Sequence, residues 1–236
     1  MLEPTFHSGL DTGGARMRRA VPGSNGALTL PDLLLIERAR AGDEQAIDAL
    51  IRRYSARLFR VAHSVLLDPQ RAEAVVLEAL LAAFGDLSRY EPTGKFAAWL
   101  TRLAYQQARA QRPVSRLAQS PESTGEQPAP QDAAREPQEL EQAIAALPEV
   151  FRTVYVLRMV EGISGIDTAA CLGLHETTVR TRLFRAHRRL PPDTAQRLRA
   201  APGLLELSPE RAERIASHAL AQLAHGSMQT ISASPP

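Results

Sequence analysis

The chain has 236 residues, 44% of them hydrophobic, which is enough for one large domain or two small ones. Its 28 Lys and Arg outnumber its 26 Asp and Glu by only two, so a contact with nucleic acid requires local clustering of basic side chains. A single cysteine excludes an intramolecular disulfide and a thiolate metal site, and no stretch approaches the ~20 apolar residues that span a bilayer.

The start of the chain is predicted to be a disordered leader. Residues 1–30 combine glycine, proline, serine and scattered arginine without a helical period. They lack the apolar segment of a secretory signal, so we expect a cytoplasmic protein without membrane insertion. Beyond this leader, alternating runs of Val, Ile, Thr and Tyr are almost absent, which predicts an all-α fold.

A first small helical domain is predicted over residues 31–112. Asp32 is the predicted cap of its first helix, and Asp43 is the predicted cap of its second. Asp68, followed by Pro69 at the first helical position, opens a third helix. A fourth helix ends before the next proline, so the pattern predicts a bundle of helices.

A flexible linker is predicted to separate this bundle from a second domain. Residues 113–138 hold five prolines among Ser, Gln and Glu and have almost nothing to bury. The second domain is predicted over residues 139–191. Its helices are expected at 139–146, 149–160, 165–172 and 176–189. In the C-terminal extension, residues 192–236, one amphipathic helix is predicted, which either packs on the second domain or binds a partner protein.

The stretch GIDTAACLGLHETTVRTRL, residues 165–183, has the spacing of a helix-turn-helix. Gly173 supplies the tight turn between a short helix with small residues and a second helix. On that second helix Val179, Leu183 and Ala186 follow the helical period and form an inward face. The predicted outward side chains are Thr177, Arg180, Thr181, Phe184, Arg185 and Arg188.

This outward face has two interpretations. A helix fits the major groove of DNA, where an arginine that bonds both acceptors of a guanine discriminates by ~1–3 kcal/mol. Further basic groups would neutralise phosphates and make the affinity depend on salt. The alternative is a solvated arginine face that binds nothing. We favour nucleic-acid binding because the turn, the small residues and the one-sided charge occur together.

No catalytic residue, metal site or cofactor is predicted. The six histidines are scattered and form no HExxH pair or cluster at ligand spacing. Nucleophile-elbow and phosphate-loop patterns are absent from the sequence. Cys171 lies on the inward side of its helix and is predicted to be a small buried residue. The sequence therefore favours a binding protein over an enzyme.

The run ALPEVFRTVYVLRMVEGISGIDTAACLGLHETTVRTRLFRAHRRL resembles the fourth conserved region of the extracytoplasmic-function, or group 4, sigma factors of bacterial RNA polymerase. The Leu-Pro pair, the Gly-Ile-Ser turn, the Leu-Gly pair and Thr-Val-Arg-Thr-Arg-Leu carry this resemblance. Upstream, RARAGDEQAIDALIRRYSARLFRVAHSVLLDP and FAAWLTRLAYQQAR are similar to the second region of that family.

The resemblance implies an alternative sigma factor with no catalytic activity of its own. Such a factor binds core RNA polymerase and promoter DNA and directs transcription initiation. The first domain would bind the polymerase and the −10 element, and the second would read the −35 element with the outward face named above. An anti-sigma factor is a further partner that the family implies.

The resemblance also assigns residues in the first domain. The loop of residues 89–96 would hold an extruded −10 base, a step that requires a few kcal/mol to unstack the base. Gln106 occupies a position beside this pocket. The residues predicted for −10 recognition are Arg89, Tyr90, Lys95 and Gln106.

The third predicted helix departs from the family pattern. Glu73 and Glu78 remain, but two positions that are usually polar are Ala74 and Leu77. Glu73, Leu77 and Glu78 are the predicted polymerase contacts. The apolar character of this helix leaves two alternatives open: a sigma-derived DNA-binding regulator that acts alone, or a sigma-mimicking module that binds partner proteins.

Overall fold

The computed structural model describes residues 30–87, 90, 95–112, 136–200 and 205–232. Every regular element in these ranges is helical, so the predicted all-α class is confirmed. The leader up to residue 29, most of the predicted linker, and Arg89 lie outside the described residues. The α-helices are α1 (Asp32–Arg40), α2 (Glu44–Leu66), α3 (Pro69–Gly85), α4 (Phe96–Ala110), α5 (Glu136–Ala146), α6 (Glu149–Tyr155), α7 (Gly165–Leu172), α8 (Glu176–His187), α9 (Thr194–Ala200) and α10 (Pro209–Ser232).

Helix α2 is the centre of the first bundle and packs against α1, α3 and α4. The predicted caps of α2 and α3 are confirmed: Asp43 accepts hydrogen bonds from the first turn of α2, and Asp68 does so for α3. Each cap satisfies backbone N–H groups that lack a partner within the helix. The core between these helices includes Leu50, Leu58 and Leu100, which are fully buried.

The predicted cap of α1 is wrong. Pro31 is the N-cap residue, and Asp32 lies in the first turn of the helix. The Asp32 carboxylate accepts hydrogen bonds from the Arg53 guanidinium and the Tyr54 hydroxyl, both on α2. Because its oxygens accept from Arg53 and Tyr54, this carboxylate joins α1 to α2 instead of capping α1.

The second group of helices differs from the prediction at its start. Helix α5 begins at Glu136, so the last three residues of the predicted linker are helical. Proline is tolerated in a first helical turn, which is why Pro137 does not stop the helix. Helix α6 continues into one turn of π-helix, Val156–Val160. One buried apolar cluster lies within this group and comprises Leu140, Ile144, Leu147, Phe151, Tyr155, Val156, Ala186 and Leu190.

The two groups of helices pack against each other. Val154, Leu157 and Leu172 belong to the same buried core as the first bundle. Glu161, whose side chain is 4% exposed, accepts hydrogen bonds from Arg57 and Arg60 of α2. An almost buried carboxylate needs such partners because its desolvation is unfavourable. The two predicted domains therefore share an apolar and ionic contact in this structure.

The C-terminal extension does not pack as predicted. It contains α9 as well as the expected amphipathic helix, α10. The N-cap of α10 is consistent with the sequence, since Ser208 Oγ accepts a hydrogen bond from Arg211 N at 3.4 Å. However, α10 packs on α2 and α3 of the first bundle, and neither alternative from the sequence described that position. Helical periodicity identifies an apolar face but not the surface that it meets.

Candidate nucleic-acid interface

Helices α7 and α8 form the predicted helix-turn-helix. Ser164 caps α7, where its hydroxyl accepts a hydrogen bond from Asp167 N at 3.1 Å. Gly173 ends α7 in the left-handed region, with φ of +64°. Helix α8 crosses close to the start of α7: a Cβ built on Gly165 would lie 3.2 Å from the Glu176 Oε1 atom. The small residues and the Gly173 turn therefore set the angle between α7 and α8.

We expect Gly173→Ala to destabilise the protein by about 1 kcal/mol, because an L-residue is strained at positive φ. Strain is the expected cause, since a Cβ at this position meets no atom within 4 Å. The free energy of unfolding in urea measures the effect. Gly85→Ala is the matched control, because Gly85 has no positive φ and equally open surroundings. Equal stability of the two variants would contradict this prediction.

The outward face of α8 is open to solvent, as predicted. Val179 and Ala186 are buried beneath the helix at 1% and 0% exposure, whereas Phe184 is 60% exposed. The six outward side chains that the sequence predicts are all exposed. The Arg188 guanidinium lies 6.0 Å from the centre of the Phe184 ring. This arrangement presents guanidinium groups and an aromatic ring on one side of a helix that the core holds in place.

No carboxylate in the described part of the chain forms an ion pair with Arg180, Arg185 or Arg188. By contrast, many arginines of the first bundle are paired, for example Arg52 and Arg53. Unneutralised guanidinium groups attract phosphates and base-edge acceptors. The unneutralised positive charge on α8 therefore favours binding to double-stranded DNA.

The structure brings only some of the residues predicted for −10 recognition close together. Tyr90 is buried, with its ring 5.1 Å from Phe96 and 5.2 Å from Trp99 between ring centres. Lys95 Nζ forms an ion pair at 2.7 Å with Asp167 Oδ2 of α7, and this hydrogen bond lowers the pKa of Asp167. Gln106 is exposed on α4 and lines a shallow depression that α7 closes on one side. Base recognition by these residues stays a prediction.

The predicted polymerase contacts lie along α3, and each of them already contacts another side chain of this protein. Glu73 accepts hydrogen bonds from Arg211 and Arg214 of α10. These bonds, with that from Arg214 the strongest, lower the pKa of Glu73. Leu77 is half-buried against the core, and Glu78 accepts a bond from Gln111 Nε2 at 2.8 Å. The structure places the three residues on one helix but leaves their role as a prediction.

Comparison with known proteins gives the family of this chain. The Sigma-70 region 2 family model matches residues 50–112, and the Sigma-70 region 4 model matches residues 137–190. The RNA polymerase sigma-H factor of Pseudomonas aeruginosa is 31% identical over 173 residues, which cover 66% of this chain and 89% of that protein. The chain belongs to the extracytoplasmic-function sigma factors of the sigma-70 family.

Two further relatives agree with this assignment. The ECF RNA polymerase sigma-E factor of Escherichia coli K12 is 31% identical over 175 residues, covering 66% of this sigma factor and 91% of the relative. The solved structure of CnrH in complex with the cytosolic domain of CnrY has a TM-score of 0.52 and 25% identity. It covers 72% of this chain and 99% of the solved one. The recognition of a sigma factor from its sequence motifs is confirmed.

Two other features of the sigma factor are clear within the described residues. No helix there is both long and apolar enough to cross a membrane. That part of the chain also holds no group of three His, Cys, Asp or Glu side chains placed to bind a metal ion.

Sequence reasoning missed the charged residues that join the two groups of helices. Arg152 is 6% exposed and donates to carbonyl groups of Ser64, Ala145 and Leu147. Glu161 similarly binds two arginines of α2. The signal for Arg152 is an arginine within the apolar run VFRTVYVL, where a solvated side chain is unexpected. For Glu161 the sequence offers no comparable signal.

Cys171 of the sigma factor is buried, as predicted. Its side chain is 1% exposed, and its thiol donates to the Ala98 carbonyl of α4, with Sγ 3.4 Å from the oxygen. Burial raises the pKa of the Cys171 thiol to about 11. Because the thiol lies between α4 and α7, its accessibility reports whether these helices are in contact.

We expect Cys171 to react with a thiol reagent at least about 100-fold more slowly in the native protein than in denaturant, since a buried neutral thiol is a poor nucleophile. The measurement is the rate of labelling by Ellman's reagent at mildly alkaline pH. Cys171→Ser supplies the blank, because the chain has no other cysteine. Equal rates in the native and denatured proteins would show that the α4–α7 contact is open in solution.

Proposed function

We propose that this sigma factor binds core RNA polymerase and directs transcription initiation at promoters whose −35 element is read by α8. The observation that carries the proposal is the exposed arginine face that follows the Gly173 turn. Helix-turn-helix proteins place their second helix in the major groove, with side chains on base edges and phosphates. In this assignment Arg180, Thr181, Phe184 and Arg185 contact base edges, while Thr177 and Arg188 contact the backbone.

The first bundle has the remaining roles in this proposal. Glu73, Leu77 and Glu78 bind the polymerase, and Arg89, Tyr90, Lys95 and Gln106 contact the −10 element. Lys95 and Gln106 face α7 in this structure, and Lys95 is paired with Asp167. A DNA strand that binds Lys95 and Gln106 would compete with α7 for this side of α4, so α4 and α7 separate on promoter binding in this proposal. The segment between α4 and α5 has the proline-, serine- and glutamine-rich composition of a linker, which supports such a separation.

An anti-sigma factor belongs to the proposed partners. The related CnrH has been solved in complex with the cytosolic domain of CnrY. In this chain α4 and α7 already lie together, so a partner that holds them in contact would keep Lys95 paired with Asp167 of α7. We propose that the factor has no catalytic chemistry of its own, and that its output is the choice of promoter.

Transcription in vitro with purified core polymerase tests the main proposal. The expected result is promoter-dependent RNA when both the core enzyme and this factor are present. Core enzyme with an Arg180→Ala, Arg185→Ala variant is the control and is expected to give little RNA. A shifted −35 duplex without any association with core polymerase would indicate a DNA-binding regulator that acts alone. Core association without a shift at low salt would indicate a sigma-mimicking module.

A further inference from the structure

The surface formed by α2 and α3 is covered by another part of the same chain. On α10, Ile215, Ala216 and Ala219 are buried at 1%, 0% and 0% exposure and belong to the core of the first bundle. Leu220 and Leu223 are partly buried against the same core. As far as residue 225, the opposite side of α10 is exposed. This helix thus lies as a single layer on the α2–α3 surface.

Ionic contacts fix the position of α10 on this surface. Glu73 of α3 accepts from Arg211 Nη1 at 3.1 Å and from Arg214 Nη2 at 3.0 Å. Arg211 Nη1 also donates to the Pro69 carbonyl at 3.1 Å. Between these two arginines in the sequence, Glu213 pairs with α2: its Oε2 is 2.7 Å from Arg52 Nη1. The surface therefore matches an amphipathic helix whose first turns carry both arginine and glutamate.

We propose that α10 is a built-in competitor of core RNA polymerase for the α2–α3 surface. This inference rests on the proposed function, in which Glu73 and Leu77 are polymerase contacts. While α10 is docked, it lies on the α2–α3 surface and its Arg211 and Arg214 hold the Glu73 carboxylate, so a polymerase that uses this surface meets α10 first. Polymerase binding through this surface thus requires α10 to leave.

The contact between α10 and the α2–α3 surface is of a kind that a partner protein can displace. Two of the three fully buried side chains of α10 are alanines, which bury little apolar area compared with leucine. The ion pairs that frame them are partly exposed and contribute modestly. A covalently attached helix needs little intrinsic affinity, since attachment gives it a high effective concentration. The apparent affinity for polymerase is then the intrinsic affinity multiplied by the fraction of molecules in which α10 is undocked.

Hydrogen exchange of the full-length factor, alone and with core polymerase, tests displacement directly. In the free factor, backbone amides of residues 212–223 are expected to be protected, because α10 is docked. On addition of saturating core polymerase, these amides are expected to lose most of their protection while α2 and α3 remain protected. Unchanged protection of residues 212–223 in the complex would overturn the proposal.

A pair of double variants tests competition by affinity. Arg211→Ala with Arg214→Ala removes both α10 bonds to Glu73 and leaves α2 and α3 unchanged. We expect it to bind core polymerase about 3- to 10-fold more tightly than the parent, the range that two partly exposed ion pairs allow. His218→Ala with Gln222→Ala is the matched control on the exposed side of α10. It is expected to bind like the parent.

The outcomes separate this inference from the proposed function. If neither the parent nor the arginine variant forms a complex with core polymerase, the proposed function is wrong and the competitor role ends with it. If both bind core with equal affinity, or the arginine variant binds more weakly, only the competitor role is overturned. Hydrogen-exchange protection of the α2 and α3 amides in each free variant establishes that the first bundle is folded.

Discussion

Replacing Arg185 with alanine is expected to weaken binding to the cognate −35 duplex about 5- to 150-fold and to relax the choice of base at one position. The range follows from the ~1–3 kcal/mol that an arginine with two bonds to a guanine contributes to discrimination. Arg185 is exposed on the outward face of α8, one turn after Thr181. Buried Ala186 holds this part of the helix against the core, so the variant removes a contact without moving the helix.

Arg188→Ala provides the contrasting variant. Arg188 lies just beyond the last turn of α8, beside the Phe184 ring, and is assigned to a phosphate. Its loss is expected to lower the affinity for all duplexes by a similar factor and to reduce the slope of log affinity against log salt by about 1. Arg199→Ala, at an exposed position on α9, is the control for a lost positive charge.

Fluorescence anisotropy on a set of duplexes, each with one −35 base pair changed, separates these expectations. For Arg185→Ala, the penalty for a wrong base is expected to disappear at one base pair and persist at the others. For Arg188→Ala, every penalty is expected to persist. If both variants bind like the parent at several salt concentrations, α8 does not read DNA in the assigned way.

The features that sequence predicted well are those set within one or two helical turns. Asp43 and Asp68 cap α2 and α3 because the acceptor and the backbone donors are only two or three residues apart. Gly173 and the inward Val179 follow from the conformation of a turn and from the helical period. The exposed face of α8 was predicted for the same reason, since the period that buries Val179 points Arg180 and Arg185 outward.

The features that sequence did not predict depend on segments far apart along the chain. Asp32 is a residue type that often caps a helix, but Arg53 and Tyr54, more than two turns into the next helix, bind its carboxylate instead. The amphipathic character of α10 was clear, yet its apolar face matches any apolar surface of similar width. The placement of Arg211 and Arg214 beside Glu73 selects α3, and Arg211 and Glu73 are 138 positions apart.

Arg152 connects the two groups of helices through backbone carbonyls. Its Nε donates to the Ser64 carbonyl near the end of α2, and its Nη1 donates to the Ala145 and Leu147 carbonyls, 2.7 and 2.8 Å away, at the end of α5. Carbonyl groups at the last turn of a helix have no partner within the helix and carry partial negative charge. One buried guanidinium therefore satisfies the ends of two helices that belong to different groups.

Arg152→Ala is expected to lower the free energy of unfolding by about 3 kcal/mol, because several carbonyls at the helix ends lose their donor. Arg152→Lys keeps the charge but not the planar fork of donors, so a smaller loss is expected. Arg199→Ala, which removes an exposed charge, is expected to change stability by less than about 0.5 kcal/mol. Urea unfolding followed by circular dichroism measures all three.

A second probe distinguishes loss of the connection from general destabilisation. Trp99, the single tryptophan, lies on α4 of the first bundle, so its fluorescence reports that bundle, whereas circular dichroism reports all helices. In the parent the two transitions are expected to coincide, because the shared core couples the groups. In Arg152→Ala, α5 and α6 are expected to unfold first. The circular-dichroism signal is then expected to begin to fall at a lower urea concentration than the Trp99 fluorescence changes. Coincident transitions with a loss below about 1 kcal/mol would mean that the apolar contacts of Val154 and Leu157, rather than Arg152, hold the two groups together.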